Sequence, residues 1–411
     1  MAIEHHILSN GVPVLIEPKL GDATLRYYYR AGSRHERKGE SGVAHFLEHM
    51  VFRTPAYLKA LKSGDKITCM NAFTSRNETT YELTGRVRNK QNIQLFNDVL
   101  MGMTASAAFS DEDVDLERQV VLRERSIAQN ALSDMGYDNV YRVAFPGSAF
   151  GADILGSEED IKNVTPEALH AYFQRYYHAG NLVVSVSGNI DSSILINDLE
   201  ANISRFSQGD LREQKSEKYG GGAIHVPREE SRQLNLTLAF QSVSEIDKRA
   251  PAVHVMAEIL GGASALSNRL YDAACMKHGL TYGITSSNDA AMDHGLFEIT
   301  TATGLDQGNE MLSVIEREID KLQQAPVTKD ELRIAKRACR NIDTDTYNAG
   351  YLYTLFDRPV DVKELKDAYD AVTADDVLQV AHEIFSSVPS LSTVGAQGSQ
   401  PDYDRFVSSL C

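Results

Sequence analysis

Apolar and polar residues alternate along several stretches of the first two hundred positions, a pattern that predicts strands of a sheet. Residues 7–17 alternate on both sides of Asn10-Gly11, a dipeptide preferred in tight hairpin turns. Four further runs are predicted as strands: 25–29, 67–75, 79–84 and the valine-rich 181–188. The first half of the chain therefore begins with a hairpin and continues as a mostly antiparallel sheet.

Between these strands the apolar spacing changes to three and four residues, which is typical of helices packed on a core. Predicted helices cover 43–50, 92 to about 108, and 110–127, and a fourth begins at Thr165-Pro166. Ser41 is a plausible N-cap for the first of them. Helices and strands thus alternate irregularly, which favours an α+β fold.

The second half of the chain repeats this order. Residues 208–222 are polar and glycine-rich and are predicted as a linker. A strand at 234–240, a helix at 252–262, a β-rich pair at 280–303 and a helix start at Val327 follow it. We therefore predict two homologous α+β domains, 1–207 and 223–411, each a mostly antiparallel β-sheet covered by helices.

Composition narrows the class of protein. With 411 residues, 42% hydrophobic and 24% charged, the chain has the balance of a globular protein of two domains. No signal peptide and no apolar run of 18 residues is seen, so a cytoplasmic location is expected. A formal charge of −16 argues against nucleic acid as a partner, while an acidic surface for solubility or an acidic cavity for basic peptides would each explain it. The four cysteines form no Cys-x-x-Cys pair and are expected to be plain thiols.

The clearest chemical signal is His-x-x-Glu-His, formed by His45, Glu48 and His49. On a helix these side chains project from about one third of the circumference. Two imidazoles one turn apart can chelate Zn²⁺, and a glutamate beside them can accept a proton from water. This order of residues is the inverzincin signature of metallopeptidases. A surface helix that happens to carry two histidines and an acid is the alternative.

Four motifs together resemble the pitrilysin-type (M16) zinc metallopeptidases, the group that includes insulysin and mitochondrial processing peptidase. They are the His45 to Met50 segment, Asn71-Ala72-Phe73-Thr74-Ser75, the Glu117 to Glu124 segment and Ile154-Leu155-Gly156. Their order and spacing are similar to those of the shorter bacterial and mitochondrial members, and the resemblance covers nearly the whole chain.

The resemblance implies one zinc ion per chain, with His45, His49 and Glu124 as ligands. It also implies that Glu48 is the general base and that Glu117 is a second acid, which orients a ligand through a hydrogen bond. For Glu117, an exposed helix glutamate paired with a neighbouring arginine is the alternative.

A substrate-binding strand is implied at Asn71, Ala72, Phe73 and Thr74. In the family an extended substrate adds itself to this sheet edge, so that backbone pairing supplies the affinity. Without the resemblance, the segment is one more edge strand.

One position departs from the family pattern. The family has an arginine seven residues before a tyrosine in the second domain; here the tyrosine is Tyr282, but Cys275 stands in place of the arginine. A neutral thiol cannot supply a bidentate cationic contact. Tyr282 is implied as a catalytic residue that acts on the site of a facing chain, with ordinary packing as the alternative.

The sequence thus predicts a zinc-dependent endopeptidase that hydrolyses peptides or extended polypeptide segments. The resemblance implies that the chain is half of a clamshell whose other half is a second M16-like chain. A heterodimer is expected, since the partner would supply the Arg/Tyr pair; a homodimer is possible. A catalytically silent scaffold, like the core subunits of the respiratory bc1 complex, or a peptide-binding module is the alternative, although the intact ligands and base argue against it.

Overall fold

The computed structural model describes residues 3–62, 66–87, 90–105, 109–202, 205–209, 217–262, 268–341 and 348–410. Within these residues the chain forms two compact units. The first combines parts of Met1–Ile127, Ala152–Gln214 and Thr344–Asp361, and the second combines parts of Ala128–Gly151, Lys215–Asp343 and Val362–Cys411. The domain boundaries drawn from the sequence stay a prediction, and residues 210–216 of the expected linker lie outside the described residues.

The first unit is built on a sheet with the order β1-β2-β6-β3-β5-β4. β2 and β6 are parallel, and the other neighbouring strands are antiparallel. The predicted hairpin turn joins β1 to β2, and Gly11 adopts a φ of 90°, which favours glycine. The strands are β1 (Glu4–Ile7), β2 (Pro13–Pro18), β3 (Ala23–Tyr29), β4 (Ile67–Thr74), β5 (Thr79–Gly85) and β6 (Leu182–Gly188).

The second unit is built on a sheet with the order β7-β11-β8-β10-β9, in which β7 and β11 are parallel and the other neighbours antiparallel. Its strands are β7 (Gly222–Pro227), β8 (Leu234–Ser242), β9 (Ile284–Ala290), β10 (Gly295–Thr303) and β11 (Ser390–Gly395). Apart from β1, the two sheets have the same strand order and one parallel pair at the same place. The prediction of two homologous, mostly antiparallel α+β domains is confirmed.

Helices pack on both sheets. In chain order they are α1 (Val43–Val51), α2 (Pro55–Leu61), α3 (Lys90–Thr104), α4 (Asp111–Ala128), α5 (Leu132–Ala144), α6 (Glu158–Asn163), α7 (Pro166–Tyr176), α8 (Ser192–Ala201), α9 (Ala250–Gly261), α10 (Gly308–Gln324), α11 (Lys329–Cys339), α12 (Ala349–Phe356), α13 (Val362–Ala371), α14 (Ala374–Phe385) and α15 (Tyr403–Leu410). A π-helical stretch, Tyr271–Lys277, precedes β9. Among the described residues, no helix is long and apolar enough to cross a bilayer.

The helix starts follow from local capping chemistry. Ser110 accepts a hydrogen bond from the backbone of Asp113 at the start of α4, and Thr165 does the same for Ala168 at the start of α7. The helix expected from 92 to about 108 is α3, which ends at Thr104; residues 106–108 lie outside the described residues.

One helix from each half of the sequence belongs to the unit formed by the other half. α5 follows α4 in the chain but packs on β8 and β11, where Gly136 lies against Thr237. α12 belongs to the second half of the sequence but packs on β2, β3 and β6 of the first unit. There the side chain of Asn348 accepts a hydrogen bond from the hydroxyl of Tyr28 at 2.8 Å and caps α12. The sequence pattern did not predict this exchange.

Replacing Gly350 by alanine should destabilise the first unit, because α12 lies close to the sheet at this residue. A methyl group built on Gly350 would lie 2.6 Å from a ring carbon of Tyr28 and closer still to the side chain of Ser185. Overpacking of this kind costs about 1 to 3 kcal/mol. Urea unfolding of Gly350→Ala should show a lower midpoint, whereas Gly283→Ala, whose methyl group meets no atom within 4 Å, should unfold like the wild type. Equal midpoints for both variants would contradict this account of the packing.

Candidate metal centre

The helix that carries the histidines is fixed at its first turn by a buried carboxylate. Glu36 accepts hydrogen bonds from the backbone N–H groups of Gly42 at 3.0 Å and Ala44 at 2.8 Å. Ser41, the expected cap, is therefore not the cap; Gly42 occupies the N-cap with a φ of 85° and has no side chain to offer. Burial raises the pKa of Glu36, and its two backbone hydrogen bonds oppose that shift.

Two histidines and a glutamate converge beside this helix. His45 and His49 lie one turn apart on α1, with ring centroids 4.7 Å apart. Glu124 reaches them from α4: its Oε1 lies 3.7 Å from Nε2 of His45, and its Oε2 lies 3.1 Å from Nε2 of His49. One ligand atom from each of the three side chains lies within 4.8 Å of the other two.

The chemistry and spacing of these atoms fit zinc. Two imidazole nitrogens and one carboxylate oxygen are a common ligand set for catalytic zinc, in which a fourth position is left for water. With bonds of about 2.0 to 2.1 Å, neighbouring ligand atoms of a tetrahedral ion lie roughly 3.3 to 3.5 Å apart. The observed 3.1 and 3.7 Å bracket that value. These two contacts end on different oxygens of Glu124, and one ligand atom from each of the three side chains lies within 4.8 Å of the others, so the three side chains are close enough to gather around one ion.

Glu117 links His49 to a neighbouring arginine. Its Oε1 lies 2.8 Å from Nδ1 of His49, and its Oε2 accepts a hydrogen bond from Nε of Arg53 at 2.6 Å. Glu117 pairs with an arginine, as the alternative expected, but its side chain is buried and not exposed. Burial acts to raise the pKa of Glu117, but hydrogen bonds with His49 and Arg53 hold it below its usual value.

The acids around His49 change its proton affinity. Burial acts to lower the pKa of His49, but hydrogen bonds to Glu117 and Glu124 raise it to about 9. Hydrogen bonds from His45 and His49 in turn hold the pKa of Glu124 well below its usual value. Without metal, a proton on His49 balances the carboxylates, and a bound cation would take over that role.

Glu48 is held next to the histidines by a residue of the edge strand. Glu48 is 8% exposed, and the Thr74 hydroxyl donates a hydrogen bond of 2.5 Å to its Oε2. This bond joins α1 to β4, the strand that the sequence analysis predicted to bind substrate. The carboxylate is thus oriented at the same site as the two imidazoles.

A cavity of about 520 Å³ opens beside Glu48 and His49. β4 forms one side of it and ends the sheet order, and Phe73 on this strand is 62% exposed. The lining mixes apolar and charged residues. From β4 it includes Met70, Asn71 and Ala72, and from the other segments Phe52, Arg53, Tyr57, Leu58, Asp113 and Glu117. An extended chain along β4 could therefore place a side chain in this cavity.

Tyr282 and Cys275 belong to the second unit and not to this group of residues. Tyr282 is 97% exposed, which excludes the alternative that it packs in the core of its own chain. Cys275 lies half-buried in the π-helical stretch Tyr271–Lys277, and burial raises the pKa of its thiol. π-helical turns occur often at functional sites.

Two residues of the centre were missed by sequence reasoning. Arg53 lies just beyond the end of α1, four residues after His49, and its closeness in sequence to the motif could have drawn attention to it. Glu36 lies in a loop six residues before Gly42, where no periodic signal exists.

Comparison with known proteins gives a consistent result. The chain matches the family "Insulinase (Peptidase family M16)" over residues 17–158 and "Peptidase M16 inactive domain" over residues 163–339. The first match contains every residue of the candidate metal centre. An uncharacterized zinc protease of Rickettsia felis is 27% identical, with 94% of this chain and 96% of the relative covered.

Two further proteins are similar along nearly their whole length. The mitochondrial-processing peptidase subunit beta of Blastocladiella emersonii is 28% identical, with 98% of this chain and 90% of the relative covered. A chain of complex III2 from Candida albicans superimposes with a TM-score of 0.88 at 16% identity, covering 100% of both chains, which shows a shared fold. The two matched domains, the full-length relatives and the His-x-x-Glu-His helix lead to one conclusion: the chain belongs to peptidase family M16.

Proposed function

We propose that this chain hydrolyses peptide bonds with the help of one zinc ion held by His45, His49 and Glu124. The observation that carries the proposal is the convergence of these three side chains beside the buried carboxylate of Glu48. When bound, zinc supplies a Lewis acid and lowers the pKa of a coordinated water. The ligand set also suits a structural ion, but structural sites take a fourth protein ligand.

Glu48 is the general base of this proposal. It lies one residue from His49, and its carboxylate is held by the hydroxyl of Thr74. A carboxylate so fixed can accept the proton of the attacking water and pass it to the leaving amine. Glu117 has a supporting role: by accepting the Nδ1–H of His49, it leaves Nε2 as the metal-binding nitrogen.

The substrate is proposed to be an extended peptide segment that pairs with β4 at Asn71–Thr74. Support comes from the position of β4 at the end of the sheet order and from its link to Glu48 through Thr74. Backbone pairing gives affinity with little dependence on sequence, so side-chain preference would arise in the cavity next to His49. A folded protein offers no free strand, so unfolded chains are the substrate class.

We also propose that activity requires a second M16-like chain. Cys275 cannot supply the cationic contact that the family takes from an arginine at this place, and Tyr282 points its fully exposed ring away from its own core. A relative carries the name of one subunit, the beta subunit of a processing peptidase. A heterologous partner with both Arg and Tyr would complete the centre of this chain.

Replacing Glu48 by glutamine should leave zinc bound but abolish hydrolysis. The amide keeps the shape of the side chain but cannot accept a proton, and loss of a general base costs about 10² to 10⁴ in rate. Peptide turnover and zinc content are measured on the complex isolated through a tag on this chain. Glu112→Gln, an exposed acid on α4, is the matched control and should behave like the wild type. Near wild-type turnover by Glu48→Gln would assign the base to another residue.

The isolated chain should bind zinc but cleave peptides about tenfold to a hundredfold more slowly than the complex with its partner. In a homodimer of this chain each centre would face Cys275 in place of an arginine, and losing that charged contact costs about 1.5 to 3 kcal/mol in the transition state. Cys275→Arg should not change the rate of a complex whose partner has no metal motif for that residue to serve. Equal rates for chain and complex, both unaffected by Cys275→Arg, would rule out this division of labour.

A further inference from the structure

We propose that Arg125 is a positioning residue of the metal centre. It ties α4 to the turn Asp153–Gly156, which lies against the first turn of α1, and so sets the distance between Glu124 and the two histidines. The inference rests on the proposed zinc function and deepens it, because it names what holds the third ligand in place.

Arg125 does not contact the metal ligands but a different segment of the chain. Glu124 and Arg125 are consecutive on α4, so their side chains diverge by about 100° around the helix axis. Glu124 points to the histidines, while Nε of Arg125 donates a hydrogen bond of 2.7 Å to the backbone oxygen of Gly156. Nη2 of Arg125 also lies 3.9 Å from Oδ2 of Asp153, and the arginine side chain is 14% exposed.

The turn that Arg125 holds touches the metal helix directly. Gly42, the N-cap of α1, and Gly156 both have left-handed backbones, with φ of 85° and 77°. A methyl group on Gly42 would lie 2.6 Å from the carbonyl oxygen of Leu155, and one on Gly156 would lie 2.8 Å from the Cα of Gly42. The backbones of the turn and of the start of α1 are therefore in direct contact. Any shift of the turn changes its position relative to α1.

A second arginine holds the other half of α4 in the same manner. Arg118 follows Glu117 as Arg125 follows Glu124, and it donates to the backbone oxygens of Ile161 at 2.7 Å and Val164 at 2.9 Å. The two arginines are seven residues apart and share one side of the helix. α4 is thus anchored at both site glutamates, and Arg125 is the anchor next to the metal ligand.

The distance between α4 and α1, which these contacts set, is critical for a metal site. Functional side chains must be held within about 0.5 Å of their working position, and metal–ligand distances vary by only about 0.2 Å. His45 and His49 keep their mutual distance through α1 alone. Glu124 does not share that helix, so its position depends on whatever joins α4 to α1.

Two substitutions of Arg125 test the effect of its hydrogen bond separately from the effect of its side-chain shape. Arg125→Met keeps the aliphatic stem but has no donor, whereas Arg125→Gln carries an N–H at the same number of bonds from Cα as Nε. Competition with a chelator should show about tenfold weaker zinc binding for Arg125→Met and about a twofold change at most for Arg125→Gln. Arg123→Met, an exposed arginine of the same helix, is the control and should bind zinc like the wild type.

The same substitution in a Glu124→Ala background separates positioning from general stability. With Glu124 removed, zinc is held from α1 alone, so Arg125→Met should weaken the remaining binding by less than about twofold. A merely structural effect would weaken binding in both backgrounds alike. If Arg125→Met fails to fold, Asp153→Asn provides the comparison, with an expected loss of about threefold that also vanishes in the Glu124→Ala background.

The outcomes distinguish this inference from the proposed function. Wild-type zinc affinity in Arg125→Met, or an equal loss in both backgrounds, overturns the positioning role while His45→Ala still binds zinc much more weakly than the wild type. Wild-type zinc affinity in His45→Ala overturns the zinc site itself, and the positioning role with it. Weakened binding in Arg125→Met, rescue by Arg125→Gln and no effect in the Glu124→Ala background together support the proposal.

Discussion

The centre depends on one constraint, the fixed separation of the helices α1 and α4. α1 fixes the distance between His45 and His49 by helix geometry alone, but Glu124 arrives on α4, far along the chain. The first turn of α1 is held by the buried carboxylate of Glu36. Bringing all three metal-binding side chains together depends on keeping these two helices at a fixed separation.

Electrostatics explains why the same place favours a cation. Glu48, Glu117 and Glu124 surround the two imidazoles, and carboxylates this close repel one another unless positive charge lies between them. Arg53 pairs with Glu117, and hydrogen bonds to Glu117 and Glu124 raise the pKa of His49 to about 9 although burial acts to lower it. A divalent ion balances the charge of these acids better than a proton does. A zinc ion bound here at neutral pH would therefore displace a proton from the site.

Local patterns predicted much of the fold and of the centre. Alternation and the Asn10-Gly11 turn predicted the strands of the first sheet, and the repeat predicted β8, β9 and β10 of the second but not its parallel pair β7 and β11. Helical spacing brings His45 and His49 to one side of α1. The exchange of α5 and α12 between the units was not predictable, because an amphipathic helix does not indicate which sheet will cover its apolar face. Glu36 and Arg125 were missed for a related reason. Both act on backbone groups of distant segments, and side chains of this kind leave no periodic signal in the sequence.

The central claim is that one zinc ion is held by two histidines of α1 and by Glu124. X-ray absorption at the zinc edge of the metal-loaded protein tests it most directly, because imidazole rings give a distinctive scattering pattern. The account predicts two imidazole nitrogens and light oxygen ligands at about 2.0 to 2.1 Å in the wild type. It also predicts one imidazole in His45→Ala and in His49→Ala, and two in Glu124→Ala. A sulfur ligand at about 2.3 Å, or an unchanged number of imidazoles in either histidine variant, would contradict it.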